Sequence, residues 1–371
     1  MNLLATATTT APDVVRVMLC DDSAVQRGIM ARILEVDPTI KIVHRAGDGQ
    51  AALAALGFTK PHVVLLDLEM PVMDGMTAIP LILKQAPGTA IIVASALTQR
   101  GAAAAMAALR AGAVDYLPKP QGASGGAASS AFREELLAKV HGWARMRGNA
   151  RAKLRPALPA PASLRPISRP LAKPLLRPRL LAVGSSTGGP QALATLFKHL
   201  PSLPVPVAIV RHMPAGFTTM LADHLDKLGT LPCVEARHGE VMQPGHIYLA
   251  PGDYHLTVDG GAGDQLIAQL NKGPAVNYCR PSVDPLMQSA ARACDGRVLA
   301  VILTGMGQDG LEGCRGLVAK GGAVLAQDEA SSVVWGMPGA VTRAGITAAQ
   351  LPPELIAERI LDVFKMPGGK P

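Results

Sequence analysis

Between Arg145 and Arg179 the chain carries ten lysines and arginines, seven prolines and no aspartate or glutamate. Such a stretch repels itself, interrupts helices and sheet ladders at each proline, and has no sustained apolar period to bury. It reads as an extended, solvated linker over residues 146–179, and it divides the 371-residue chain into two parts that are each long enough to form a core. It also accounts for the charge, because the whole chain is +8 while everything outside the segment sums to −2. Contact of the linker with an anionic surface stays open, although charge runs of this kind are usually tethers. Aromatics make up only 3% of the chain, which offers no stacking platform for nucleic-acid bases.

Cys20, Cys233, Cys279, Cys294 and Cys314 lie far apart, with no C-x-x-C pair and no His/Cys cluster of metal-ligand spacing. Reduced thiols and a cytoplasmic location are expected. The opening M-N-L-L-A-T-A-T-T-T lacks a basic region, and no apolar run approaches the roughly 18 residues of a membrane span, so neither secretion nor membrane insertion is expected.

In the N-terminal part, the β-branched run Val14–Cys20 stops at Asp21-Asp22-Ser23 and a helical pattern follows through Leu34. Further strands fit Ile40–His44, His62–Leu66, Thr89–Ala94 and Ala113–Leu117, each separated by a helix-length segment. This alternation predicts an α/β fold with a doubly wound, five-stranded parallel sheet, whose functional crevice lies beyond the carboxyl ends of the strands. Asp67 ends the third strand and converges there with Asp21 and Asp22. Three gathered carboxylates repel one another, and a hard divalent cation with oxygen ligands is the usual remedy. Ser95 and Lys119, at the ends of the fourth and fifth strands, are suited to hold the oxygens of a phosphoryl group on Asp67. Taken singly, Asp21 is also a candidate helix cap, Lys119 a surface charge and Asp74-Gly75 an ordinary turn.

Acidic pair, acceptor aspartate, hydroxyl and K-P, in this order, resemble response-regulator receiver domains over residues 14–145. The resemblance implies Asp67 as phosphoacceptor, Mg²⁺ held by Asp22, Asp67 and the backbone of Glu69 with Asp21 assisting through water, and Ser95 and Lys119 as sensors of the phosphoryl group. Tyr116 stands where that family often has a mobile aromatic, and a core tyrosine is an equally good account. The Gly/Ala/Ser-rich stretch Gln121–Ser130 is an insertion to which no function is attached.

A second βα series opens at Leu180. L-A-V-G-S-S-T-G-G-P reads as a buried strand, a tight turn and a helix start, with Pro190 suited to the first helical turn. The next strand ends at His212, and Val298–Thr304 leads into G-M-G-Q-D-G with Asp309. If these strands are parallel, Ser186, His212 and Asp309 rise on one sheet edge as nucleophile, base and orienting acid. Ordinary readings stand beside these: Ser186 as a helix cap, His212 as a partly buried histidine, Asp309 as a cap of the helix beginning near Leu311. His238, His246 and His255, in a segment read as β-hairpins, and Asp284 in R-P-S-V-D are competitors without a buried strand-end position.

G-S-S-T-G-G-P, R-H-M-P-A-G-F, N-Y-C-R-P-S-V-D, L-T-G-M-G-Q-D-G and Q-D-E-A-S-S-V-V-W-G-M-P resemble the catalytic domain of the CheB family of chemotaxis protein-glutamate methylesterases across residues 180–366. Gln308 departs from a frequent Asn and Trp335 from a common Phe, and the linker is unusually long and basic. The resemblance implies a Rossmann-like second domain with a mostly parallel sheet, Ser186 as nucleophile, His212 as base and acid, Asp309 as orienting carboxylate and the Met306 N–H as oxyanion donor. It further implies methylated chemoreceptors as substrates, a chemotaxis-type histidine kinase as phosphodonor, and possible glutamine deamidation. Hydrolysis needs no cofactor on this reading, and it falls below about pH 6 to 7 as histidine protonates. The alternative is a receiver-linked module that binds a nucleotide through G-S-S-T-G-G or DNA through the linker, without hydrolase activity.

Overall fold

The computed structural model describes residues 14–96, 98–119, 130–153, 177–228 and 231–365. Most of the Pro/Arg-rich segment and the stretch from Gln121 to Ser129 lie outside these residues. The chain divides into two compact units.

The N-terminal elements are β1 (Val15–Cys20), α1 (Ala24–Leu34), β2 (Ile40–Ala46), α2 (Gly49–Thr59), β3 (Val63–Asp67), α3 (Gly75–Gln85), β4 (Ala90–Ser95), α4 (Gln99–Arg110), β5 (Asp115–Pro118) and α5 (Ser130–Lys153). Five strands form one sheet in the order β2-β1-β3-β4-β5, with parallel ladders between β1 and β2, β1 and β3, and β3 and β4. The runs V-V-L-L-D and A-I-I-V-A-S are buried at every position, as strands covered on both faces require. Ser23, Asp48 and Asp74 cap α1, α2 and α3 by accepting from the N–H groups of Gln26, Ala51 and Thr77. Gly75 is more than a turn residue: a Cβ there would lie 2.2 Å from the Asp67 carbonyl, so glycine lets α3 start against the end of β3. Helix α5 continues past residue 145 to Lys153, because Arg, Met, Ala and Lys outnumber Gly148 and Asn149 there and the first proline comes only at 156.

The C-terminal elements are β6 (Leu180–Ser185), α6 (Gly189–Lys198), β7 (Val207–Arg211), α7 (Phe217–Asp226), β8 (Cys233–Glu235), β9 (Ile247–Leu249), β10 (His255–Gly260), β11 (Leu266–Asn271), α8 (Val283–Ala293), β12 (Val298–Ile302), α9 (Leu311–Ala319), β13 (Ala323–Gln327), α10 (Met337–Arg343), β14 (Ala349–Leu351) and α11 (Pro353–Lys365). Seven strands form a parallel sheet in the order β14-β13-β12-β6-β7-β9-β8. The segment read as β-hairpins divides: β10 and β11 pair antiparallel, whereas β8 and β9 join the large sheet. Short apolar runs such as I-Y-L do not distinguish these outcomes by periodicity. The chain winds away from β6 and β12 in opposite directions, which opens a crevice above their carboxyl ends. Helix α8 closes on β6 because Gly184 has no side chain; a Cβ there would meet Val283 at 2.6 Å.

Within the N-terminal unit, Lys139 of α5 is 2% exposed and pairs with Asp115 at 3.4 Å and Glu135 at 2.8 Å. Trp143 donates to the other Asp115 oxygen at 3.3 Å. Lys139→Ala is expected to remove the ammonium group from beside a fully buried Asp115 and to cost about 3 kcal/mol. Calorimetry of the full chain should register this as a lowered unfolding transition of the N-terminal unit, with that of the C-terminal unit unchanged.

Candidate functional site

The register of the large sheet sets three loops side by side. Gly184 of β6 lies opposite Val210 of β7 on one side and Ile302 of β12 on the other. The residues that follow emerge together: the His212 N–H bonds the Ser185 carbonyl at 3.3 Å, and the Ser186 N–H bonds the Thr304 carbonyl at 3.0 Å. Gly305 permits this closeness, since a Cβ there would stand 2.9 Å from that of Ser186. Met306 follows in the same turn, half-buried. At Gly188 a positive φ of 77° turns the chain into α6.

His212 Nε2 bonds Asp309 Oδ2 at 2.7 Å. The Asp309 carboxylate is 2% exposed, and its other partners are donors from the start of α8 and its surroundings. The Val283 N–H donates to Oδ2 at 2.6 Å. Ser282 Oγ at 2.7 Å, Asn277 Nδ2 at 2.9 Å and the N–H groups of Gly310 at 2.9 Å and Asp284 at 3.1 Å donate to Oδ1. Asp309 therefore sits on the positive end of α8 rather than capping only the helix that follows it. Asp284, the competing acid, does the reverse: it belongs to the first turn of α8, but its side chain accepts the Gly313 N–H of α9 at 2.7 Å. Asn277 Nδ2 bridges the two carboxylates, at 2.9 Å from each.

Charge follows from these contacts. Burial opposes ionisation of Asp309, yet the His212 pair and the donors from Val283 and Ser282 hold it well below the usual carboxylate range. Burial raises Asp284 above its ordinary value, and the Asp309 charge adds to that. Burial disfavours a charged His212, but hydrogen bonding to Asp309 and to the Cys279 thiol outweighs it and pushes the pKa up to about 9. That lies above the window of about 6 to 7 expected for an unperturbed imidazole.

Ser186, His212 and Asp309 thus share one sheet edge. Among the described residues no hydrogen bond joins the Ser186 hydroxyl to His212, a looseness common in sites without substrate. The other histidines serve the framework. His255 is buried and engages the Pro274 carbonyl and the Ser282 N–H, His246 the Pro244 carbonyl, and His238 the Leu270 N–H. Sequence reasoning missed Asn277, Cys279 and Ser282, although all three stand in N-Y-C-R-P-S-V-D. A serine ahead of an apolar helical run was the available sign of a helix start facing the site.

In the N-terminal unit, Asp21 and Asp67 are buried and Asp22 is exposed, and one oxygen of each lies within 4.8 Å of the others. Lys119 Nζ bridges Asp21 at 2.9 Å and Asp67 at 2.7 Å. Asp21 also accepts the Ser23 N–H at 2.9 Å, while Ser23 itself caps α1. The Glu69 side chain is exposed and outside the acidic set; its N–H donates to Asp67 at 3.4 Å. Burial raises the Asp67 pKa, and Lys119 opposes that rise. Ser95, the last residue of β4, is buried and donates to the Gly101 carbonyl at 2.8 Å. Tyr116 is buried with Lys139 5.0 Å from its ring centre, which favours the core reading of that tyrosine.

Residues 181–360 match the model of the CheB methylesterase family and residues 17–125 that of the response regulator receiver domain. A protein-glutamate methylesterase/protein-glutamine glutaminase of Azospirillum brasilense is 50% identical over 356 residues, which is 92% of this chain and 90% of the relative. The chain belongs to this family. A second member, from Paramagnetospirillum magneticum, is 46% identical and covers 95% of this chain and 96% of its own length. The crystallised CheB methylesterase catalytic domain of Thermotoga maritima is 39% identical over 51% of this chain and all of its own, with a TM-score of 0.49. The two α/β sheets expected from sequence are the architecture of this family member.

The His212–Asp309 pair makes a measurable claim without any substrate. The imidazole signals of His212 should titrate by NMR with a midpoint well above 6.5, towards about 9, and Asp309→Asn should bring the midpoint down. A folded-state pKa raised in this way adds stability below pH 6.5 that is lost as pH rises through about 9, so the C-terminal unit should unfold at lower temperature across that interval.

Proposed function

We propose that this chain is a phosphorylation-controlled serine hydrolase that demethylates γ-glutamyl methyl esters on the cytoplasmic helices of chemoreceptors. The observation that carries this reading is the bond of His212 to the buried Asp309 at 2.7 Å beside Ser186, in a chain of the methylesterase/glutaminase family. Ser186 Oγ attacks the ester carbonyl while His212 takes its proton. Since Nε2 is committed to Asp309, the nitrogen proposed to take that proton is Nδ1. The Met306 N–H donates to the oxyanion. His212 then returns the proton to the departing methoxide, and methanol leaves. Water, activated by the same imidazole, releases the glutamate and restores Ser186. The same route on a glutamine side chain releases ammonia.

Asp67 is the proposed phosphoacceptor, with a histidine kinase as donor. The oxygens of Asp21, Asp22 and Asp67 fit a hard divalent cation, and the Glu69 backbone is a further candidate for that set. Mg²⁺ bound there offsets the charge that builds up during phosphoryl transfer. Ser95 and Lys119 are the residues proposed to respond to the phosphoryl group. The proposed domains are residues 14–145 and 180–366, joined by the segment 146–179. No helix among the described residues is long and apolar enough to cross a membrane, and a cytoplasmic location suits the proposed partners. A nucleotide- or DNA-binding output has no counterpart in the two family matches.

Methanol release from methylated receptor membranes tests the triad. Ser186→Ala and His212→Ala are expected to lose on the order of 10⁴ to 10⁶ in rate, and Asp309→Asn on the order of 10³ to 10⁴. A dead Ser185→Ala beside an active Ser186→Ala would move the nucleophile by one residue. Because the base works as neutral imidazole, kcat/KM should rise with pH through a midpoint displaced above 6.5 towards about 9. A rate flat from pH 5 to 8 with chemistry limiting would remove His212 from the role.

Control is tested with a small phosphodonor. Phosphorylation should raise the rate of the full chain, Asp67→Asn should abolish the increase, and a fragment from about Leu180 should exceed the unphosphorylated full chain. Chelation should remove the stimulation and spare basal hydrolysis. Equal rates in full chain, Asp67→Asn and fragment, with or without phosphodonor, would sink the control model and leave the triad intact.

A further inference from the structure

Val276 and Cys279 exchange both backbone hydrogen bonds, N–H to carbonyl at 3.1 Å and 2.9 Å, which closes a two-residue turn over Asn277 and Tyr278. Both central residues have positive φ, 51° and 62°. That is the tight hairpin turn for which Asn then Gly is the favoured pair. Asn277 obeys the rule, and its side chain is engaged with Asp284 and Asp309. Tyr278 breaks it: a bulky side chain occupies a glycine position, in a backbone region that disfavours it. Among the described residues no packing compensates, because Tyr278 is fully exposed, at 102% of the reference area.

The mount is rigid. On one side Asn277 is tied to Asp284 and Asp309, and on the other the Cys279 backbone closes the turn on Val276. Arg280 then clamps the base of the turn to Asp253 at 2.6 Å and to the Gly273 carbonyl at 3.0 Å. An aromatic ring with few rotors, held in solvent one residue from a side chain that bonds the Asp309 carboxylate, is the form of a preorganised contact.

We propose that Tyr278 is a substrate-docking residue, which packs on the receptor helix beside the glutamyl methyl ester as that ester enters the site. This inference rests on the methylesterase reading and adds a residue to it. On a helix, the side chains three and four positions from the ester lie about 5–6 Å away, one turn up or down. That is the surface a ring next to the site meets, and an extended or small-molecule ester does not provide it. Tyr278 thereby favours esters presented on a helical surface.

The experiment uses the full chain with methylated receptor membranes. In the Ser186→Ala background, Tyr278→Gly should weaken receptor binding about tenfold, and Tyr278→Phe should keep it within about threefold. In the otherwise unaltered chain, Tyr278→Gly should raise KM about tenfold with kcat changed less than about twofold. Glycine suits the turn, so the thermal midpoint of Tyr278→Gly should equal or exceed that of the parent, which separates lost docking from lost folding. Receptor affinity and KM left unchanged by Tyr278→Gly would overturn the proposal while leaving hydrolysis intact. So would a fall in kcat at constant KM, which would make the turn a support for Asp309 alone. Absence of methanol release from the parent chain would instead overturn the methylesterase reading, and this inference with it.

Discussion

A carboxylate with almost no exposure is costly unless every lone pair is used, and Asp309 uses them on six donors drawn from four pieces of chain. Those donors come from the end of β7, the turn at Asn277, the start of α8 and the residue after Asp309 itself. Holding this one group ionised therefore fixes how four segments meet. Asp284 adds a reciprocal tie: each of the two aspartates adjoins one helix and accepts N–H groups at the start of the other. The α8 and α9 starts are locked together, and the imidazole of His212 is oriented by an anion that cannot move.

The backbone supplies the clearance that this arrangement needs. Gly184 lets α8 settle on β6, Gly305 lets the turn after β12 approach Ser186, and Gly188 takes the left-handed conformation that opens α6. A methyl group at Gly184 or Gly305 would have to displace Val283, Met337 or Ser186, so the spacing of strand ends and the position of Ser186 are set by the same glycines. Sequence alone reads G-S-S-T-G-G as a tight turn and the glycines around Asp309 as room for backbone to approach. Their larger role is in packing between segments distant in the chain.

The strand-by-strand alternation of both units was legible because buried parallel strands read as short apolar runs ending in polar residues. Asp21, Asp67, Ser186, His212 and Asp309 were legible as candidates for the same reason: chemistry stands at strand ends. The fate of β8 and β9 was not, since three-residue strands leave no period to read, and the reach of α5 to Lys153 turned on helix propensity inside a segment dominated by charge. Asn277, Ser282 and Cys279 escaped notice because their partners lie 7 to nearly 70 positions away in sequence, and only the fold brings the turn at 276–279 to His212 and Asp309.

Asp67 and Asp309 stand at the carboxyl side of parallel strands and are both buried, yet their surroundings prepare them for opposite work. Asp309 is saturated with donors and held ionised, so it has no lone pair to spare and serves as a fixed charge. Asp67 has Lys119 on one oxygen and a single backbone N–H at 3.4 Å on the other among its described contacts, and burial raises its pKa. Lys119 is moreover shared with Asp21, so its attraction is divided between two carboxylates. A carboxylate held in this loose way keeps lone pairs available to a cation or to phosphorus. The number and direction of donors around each side chain, rather than burial, separates the acid proposed to orient from the acid proposed to react.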